Sequence, residues 1–309
     1  MIQGFLAYLM WGAFPLYFPL LQPAGPVEIL AHRFVWTLAF MALVLAVVGT
    51  WRELRRASAR TWGAVTLAAT FIAINWGVYV YAVNNGHIAE AALGYFINPL
   101  VTVLLGVVFL KERLSRLQTV SVAVAAVAVV VLTVGVGRPP VLALALAFSF
   151  GFYGLLKKRV PLSPSASLTA ESLVMTPPAI AYLVYLGNRG TGTFTSEGPG
   201  HTLLLMSAGL ATAVPLLLFG IGAKKIPLST IGLMQYSPPA LPMSIAIFIA
   251  NEHLEPARWA GYVIIWAAVA FFVADIVLRH RARRRARPVG KPVPVRESPT
   301  PRTDPGDDR

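Results

Sequence analysis

Apolar runs of about twenty residues, the length that crosses the hydrocarbon core of a bilayer, follow one another along almost the whole chain. They predict helical spans near 2–21, 28–49, 61–83, 90–110, 117–136, 141–156, 167–186, 201–222, 228–250 and 257–278. The connections between them are too short to hold a soluble catalytic domain, so function is expected inside the membrane. Only the segment from Arg279 to Arg309 breaks the pattern, with an arginine-rich start and a proline-rich remainder that reads as disordered. The first span lacks a basic leading region and is interrupted by Pro15, so it reads as a retained span rather than a signal peptide. The abrupt start at Met1 leaves room for a few residues upstream.

Composition sharpens this picture. The chain of 309 residues is 56% hydrophobic and only 13% charged, against roughly 25% charged in a soluble domain. Yet 26 Lys and Arg stand against 13 Asp and Glu, a net charge of +13. A basic and very apolar chain either binds nucleic acid or keeps its cations on one side of a membrane. Their placement decides. Arg52, Arg55, Arg56 and Arg60 follow span 2; Lys111, Arg113 and Arg116 follow span 4; Lys157, Lys158 and Arg159 follow span 6; Lys224 and Lys225 follow span 8. Ten more lie in the tail from Arg279, whereas the alternate connections hold only Arg138, Arg189 and Arg258. The positive-inside rule then places both termini in the cytoplasm. The arginines of the tail suit anionic lipid headgroups; nucleic acid is the lesser reading, since no groove-reading element accompanies them. With no cysteine and five scattered histidines, no disulfide, thiolate site or metal centre is expected, and no cofactor.

The chain also repeats. At a displacement of 140 residues Pro99 falls on Pro239, Glu112 on Glu252, Leu93 on Leu233 and Tyr79 on Phe219. At 139, Gly12 meets Gly151, Phe14 meets Tyr153 and Pro15 meets Gly154. Residues 1–137 and 138–278 therefore read as two copies of a five-span unit, with 279–309 as a separate tail. Five is odd, so the second copy is inverted in the membrane. Inverted repeats of this kind characterise secondary transporters, whose site lies near the midplane. Pro15, Pro99, Pro238 and Pro239 are candidate helix breaks that line a cavity, with a simple kink as the other reading.

Polar groups at membrane depth usually face a bundle interior. Glu28 and His32, four apart, share a face at the outer end of span 2, beside Arg33. They make an outer-mouth ion pair, or else an anion contact and part of a proton relay. Asn75, Trp76 and Tyr79 lie along one stripe of span 3, suiting either a partly apolar ligand or interhelical hydrogen bonds. Span 4 carries Glu90, Tyr95 and Asn98 ahead of Pro99, and Glu90 in a first turn can simply cap its own helix. Gln235 and Tyr236 occupy similar depth in span 9. Glu171, about 6–8 Å past the cytoplasmic start of span 7 at 1.5 Å per residue, stands as the deepest isolated carboxylate of the second half. It is the first candidate for a protonatable coupling group, with a snorkelling interfacial acid as its alternative. Glu28, His32 and Glu90 are the further coupling candidates. Asp275 reads as a local pair with Arg279. Spans 5 and 10 hold almost no polar residue in mid-membrane and read as scaffold or homodimer surfaces.

The segments Asn75-Trp76-Gly77, Ala82-Val83-Asn84-Asn85-Gly86-His87 and Glu90 through Leu100 are distinctive, as are Trp11-Gly12, Glu28 through Arg33, Phe148 through Gly154, and Leu228-Ser229-Thr230 leading to Gln235-Tyr236. Together they resemble the RarD-type branch of the EamA family, in the drug/metabolite transporter superfamily. The resemblance implies a ten-span permease of the bacterial cytoplasmic membrane, two EamA repeats, and gradient-driven transport of a small metabolite or drug-like molecule rather than ATP hydrolysis. Candidate substrate contacts are then Trp11, Arg33, Asn75, Trp76, Tyr79, Tyr95, Asn98, Tyr153, Gln235 and Tyr236. Ala250-Asn251-Glu252-His253 and Ser237-Pro238-Pro239 depart from the family pattern. A non-transporting membrane scaffold or sensor is the second reading. An intramembrane lipid-modifying enzyme is the third, disfavoured because the acids are single and far apart.

Overall fold

Helices account for the regular structure of this computed structural model, which describes residues 2–85, 87–136, 140–235 and single positions between 263 and 278; no strand occurs among them. Tyr236, Pro238, Pro239, most of span 10 and the tail lie outside the described residues. The helices are α1 (Ile2–Gly12), α2 (Phe14–Tyr17), α3 (Pro26–Val48), α4 (Trp51–Arg56), α5 (Ala59–Asn84), α6 (Ile88–Leu110), α7 (Arg116–Val136), α8 (Val141–Arg159), α9 (Pro164–Arg189), α10 (Pro199–Lys225) and α11 (Leu228–Met234). Five of them (α3, α5, α6, α8 and α10) are long and apolar enough to cross a membrane. Their outer faces are apolar too: Leu43, Val47, Leu67, Leu104, Val108, Leu203 and Leu210 are all exposed. Apolar exposure on this scale is stable in lipid rather than water.

Three elements differ from the expected spans. The first is broken, because Pro15 and Pro19 sit at the starts of new turns: α1 gives way to α2 and then to a 3-10 turn, Phe18–Leu21. A short helix, α4, occupies part of the connection after span 2 and tucks Leu54 under the bundle. Finally, α8 runs to Arg159 rather than stopping near residue 156. Its last three cations point three ways. Lys157 goes to Glu171 at 2.5 Å, Lys158 to the Ile226 carbonyl at 2.5 Å, and Arg159 to the Phe109 carbonyl at 2.6 Å. Lys157, expected in a loop, is fully buried.

α9 is the least apolar of the long helices because its polar side faces inward. Ser167, Thr169, Glu171, Ser172 and Thr176 are all buried. Thr169, Ser172 and Thr176 bond carbonyls one turn back in their own helix, which satisfies each hydroxyl without water.

Contacts at the helix ends sort them onto two faces. On the basic face Gly4 meets Gly222, Arg159 meets Phe109, Lys224 bonds the Val160 carbonyl, and Glu53 accepts from the Ser163 N–H at 2.6 Å. On the opposite face Glu28 accepts from the Thr193 N–H and Glu90 from the Leu142 N–H, both at 2.7 Å. α6 and α8 therefore run in the same direction, while α3 and α9 run in opposite directions. The packing is reciprocal: α5 lies on α8 as α10 lies on α1, and α5 lies on α9 as α10 lies on α3.

Among the described glycines, the tightest approach is Gly209, where α10 meets α3. A Cβ at Gly209 would fall 2.3 Å from the Trp36 carbonyl carbon, and Thr37 Oγ1 bonds the Gly209 carbonyl at 3.1 Å. Backbone cannot yield as a side chain would. Gly209→Ala is therefore expected to cost at least the ~1–3 kcal/mol of an overpacked core. Gly77→Ala, with nothing within 4 Å, is expected to be neutral. Thermal unfolding of the two detergent-purified variants tests this; equal midpoints would show that the crossing is not tight.

Candidate functional site

Two polar clusters flank an aromatic centre. The centre comes from helices far apart in sequence. Trp11 of α1 lies 5.3 Å from Tyr8, 5.8 Å from Phe150 and 5.7 Å from Phe219, centroid to centroid. Tyr153 of α8 stacks on Phe219 at 5.9 Å. Gln235, at the end of α11, donates to the Tyr8 hydroxyl at 2.9 Å, and its carbonyl oxygen is buried without a partner.

The cluster toward the basic face is built on two i, i+4 pairs. Tyr153 and Lys157 share one side of α8, and Ser167 and Glu171 share one side of α9. Packed together, they make Glu171 the acceptor of three bonds: Lys157 Nζ at 2.5 Å and Ser167 Oγ at 2.7 Å on one oxygen, and Tyr153 Oη at 3.1 Å on the other. Lys157 also donates to Ser167 at 3.1 Å. Glu171 is thus not an isolated carboxylate but half of a buried ion pair. Lys157 was missed because its neighbours Lys158 and Arg159 make it look like a loop cation. Its spacing from Tyr153 was the available signal.

The cluster toward the opposite face centres on Arg33. Its guanidinium lies over Trp76 at 3.9 Å, with Phe18 at 5.6 Å and Phe14 at 5.9 Å, and its Nε donates to Thr212 at 2.9 Å. Tyr79 and Tyr95 meet edge to face at 6.0 Å, within electrostatic reach of Arg33. Neither Trp76 nor Thr212 adjoins Arg33 in sequence; the crossing at Gly209 sets Thr212 one turn along α10 from Trp36 and Thr37.

Other candidates are engaged elsewhere. Glu28 does not pair with Arg33, since its carboxylate takes the Thr193 N–H. His32 stacks on Phe194 at 4.7 Å, with both ring nitrogens buried and unpartnered. Glu90 lies in the first turn of α6, as expected, and its carboxylate also accepts the Leu142 N–H in the first turn of α8. Asn75 is tied to α8 through the Leu146 carbonyl at 2.8 Å and Ser149 Oγ at 3.1 Å, so its amide holds helices together. Asn98 accepts from Thr102 one turn on, at 3.3 Å. α6 runs through Pro99 as one helix rather than breaking there, and α11 crosses it at that point, where a Cβ on Gly232 would lie 2.9 Å from the Pro99 carbonyl. Asp275 accepts from Ser115 Oγ at 2.7 Å, which joins the end of span 10 to the start of α7. Pro15 begins α2. No group of three or more His, Asp or Glu able to hold a metal occurs among the described residues.

The EamA-like transporter family profile matches the chain twice, over residues 1–134 and 138–274. The chain belongs to the EamA family. It is 48% identical to Protein RarD of Streptomyces exfoliatus, over 93% of this chain and 91% of that one. It is 42% identical to the uncharacterized transporter YojE of Bacillus subtilis, over 90% and 95% respectively. A solved crystal structure with 18% identity superposes at a TM-score of 0.67, covering 88% of this chain and 96% of that one, and shares the fold. This EamA member is accordingly a multi-pass transporter of the bacterial inner membrane and not an enzyme.

Removing one partner of a buried pair strands the other charge, which typically costs about 3–5 kcal/mol. Lys157→Met is expected to lower the thermal midpoint sharply, and Lys157→Met with Glu171→Leu to recover much of the loss. A double variant as unstable as the sum of the two single ones would mean that the pair is not coupled.

Proposed function

We propose that the chain is a secondary active transporter that moves a small metabolite or drug-like molecule by alternating access of two inverted five-helix halves, driven by a proton or other ion gradient. The reciprocal packing of α5 and α8 with α10 and α1 supports the inverted-repeat reading, in which either half tilts about a shared site. The sorting of cations supports a cytoplasmic basic face and cytoplasmic termini. The aromatic centre between the two polar clusters is the substrate path, and Trp11, Tyr153, Trp76, Tyr79 and Tyr95 are its walls.

The observation that carries the coupling proposal is the three-bond acceptor role of Glu171. A proton on Glu171 removes the charge that holds Lys157 and so loosens α8 from α9 at the basic face. Loss of the proton restores the pair and closes that end. One carboxylate thereby links protonation to which side is open, which is the requirement for gradient-driven transport.

Proteoliposomes holding the purified protein are expected to accumulate members of a small-metabolite panel only under an imposed pH gradient. Glu171→Gln is expected to abolish accumulation while leaving exchange at equal pH. Accumulation that persists in Glu171→Gln would remove this residue from the coupling role, and no gradient-dependent flux across the panel would remove the gradient-coupled reading. Orientation has its own test in this cysteine-free chain. Ala57→Cys should be shielded from an impermeant thiol reagent in intact cells, and Thr195→Cys should be labelled. The reverse labelling would invert the topology.

A further inference from the structure

Among the described residues, no acid answers Arg33. α3 begins at Pro26, so Arg33 lies about 10 Å along the helix at 1.5 Å per residue, half-buried among the rings around it. Among the described residues no carboxylate lies within ion-pair distance of its guanidinium. Its Nε bonds Thr212, but its two terminal nitrogens donate to no described group. Ring faces offset only part of the cost of desolvating a cation. The terminal nitrogens are the edge with which an arginine grips a carboxylate in two parallel bonds.

The repeat shows that this lack of a partner belongs to one half alone. α9 begins at Pro164, so Glu171 sits as far along α9 as Arg33 sits along α3. Phe14 and Phe18, beside Arg33, stand at the positions of Tyr153 and Lys157, beside Glu171. The second half neutralises its buried charge with a lysine. The first half has a phenylalanine there and leaves its charge open.

We propose that the Arg33 pocket recognises a small organic anion, with a carboxylate on the free edge of the guanidinium and a planar apolar body between Trp76 and the Tyr79–Tyr95 pair. The proposal names the substrate class of the transporter described above and rests on that reading for its place in a transport cycle, though not for binding.

The probes are hippurate and its neutral amide at matched ionic strength, added to the purified full-length protein in detergent. Hippurate is expected to raise the thermal midpoint and quench tryptophan fluorescence at concentrations where the amide does neither. Arg33→Gln is expected to weaken hippurate binding at least tenfold, and Arg33→Lys to retain part of it. Equal responses to hippurate and its amide, or unchanged hippurate affinity in Arg33→Gln, would overturn the proposal. Should Arg33→Gln fail to fold, the comparison of the two probes on the unaltered protein decides alone. Flux separates the two readings. Arg33-dependent hippurate binding without gradient-driven flux of any panel member upholds the anion site and ends the gradient-driven reading. Gradient-driven flux of the amide, untouched by Arg33→Gln, does the opposite.

Discussion

A backbone N–H at a helix start has no partner within its own helix, and hydrocarbon supplies none. Three acids of this protein answer that constraint, and a fourth answers the same need at a loop N–H. Glu53 takes the N–H of Ser163, Glu90 that of Leu142, Glu112 those of Leu228 and Ser229, and Glu28 that of Thr193 just beyond the end of α9. Each carboxylate comes from a segment distant in sequence, so each cap is also a tertiary staple. The loop and helix ends of the bundle hang on these bonds. With those acids engaged, few charges remain for transport.

α6 shows how local chemistry becomes architecture. It holds Glu90 near one end, with Glu112 just beyond the other, and so fixes the start of α8 at one face and of α11 at the opposite face. Between them Pro99 and Gly232 let α6 and α11 cross closely. α6 is thus held at both ends by carboxylates and crossed closely in the middle. Arg33 and the Lys157–Glu171 pair sit on either side of the aromatic centre.

The spans were legible because crossing a bilayer demands length and apolarity, and both are written locally. α3, α5, α6 and α10 begin and end within a few residues of the apolar runs. The end of α8 was not legible in this way. Three consecutive cations read as a loop, yet successive helical residues point about 100° apart, so each found a different partner. Asn75 and Glu90 were recognised as buried polar groups, but their use was open. Nothing along the chain says that Asn75 meets the Leu146 carbonyl of α8, or that Glu90 meets the start of that same helix.

Sequence alone determined that this chain is a bundle of membrane helices with a basic face, a repeat and a small set of buried charges. These follow from hydropathy, residue spacing and the cost of charge in lipid, which act residue by residue. Tertiary structure decided which charges are satisfied. Lys157 and Glu171 neutralise one another because α8 lies against α9, and Arg33 faces rings because α5 and the broken first span surround it. An ion pair depends on a few ångströms between distant segments, and only the packed helices set that distance.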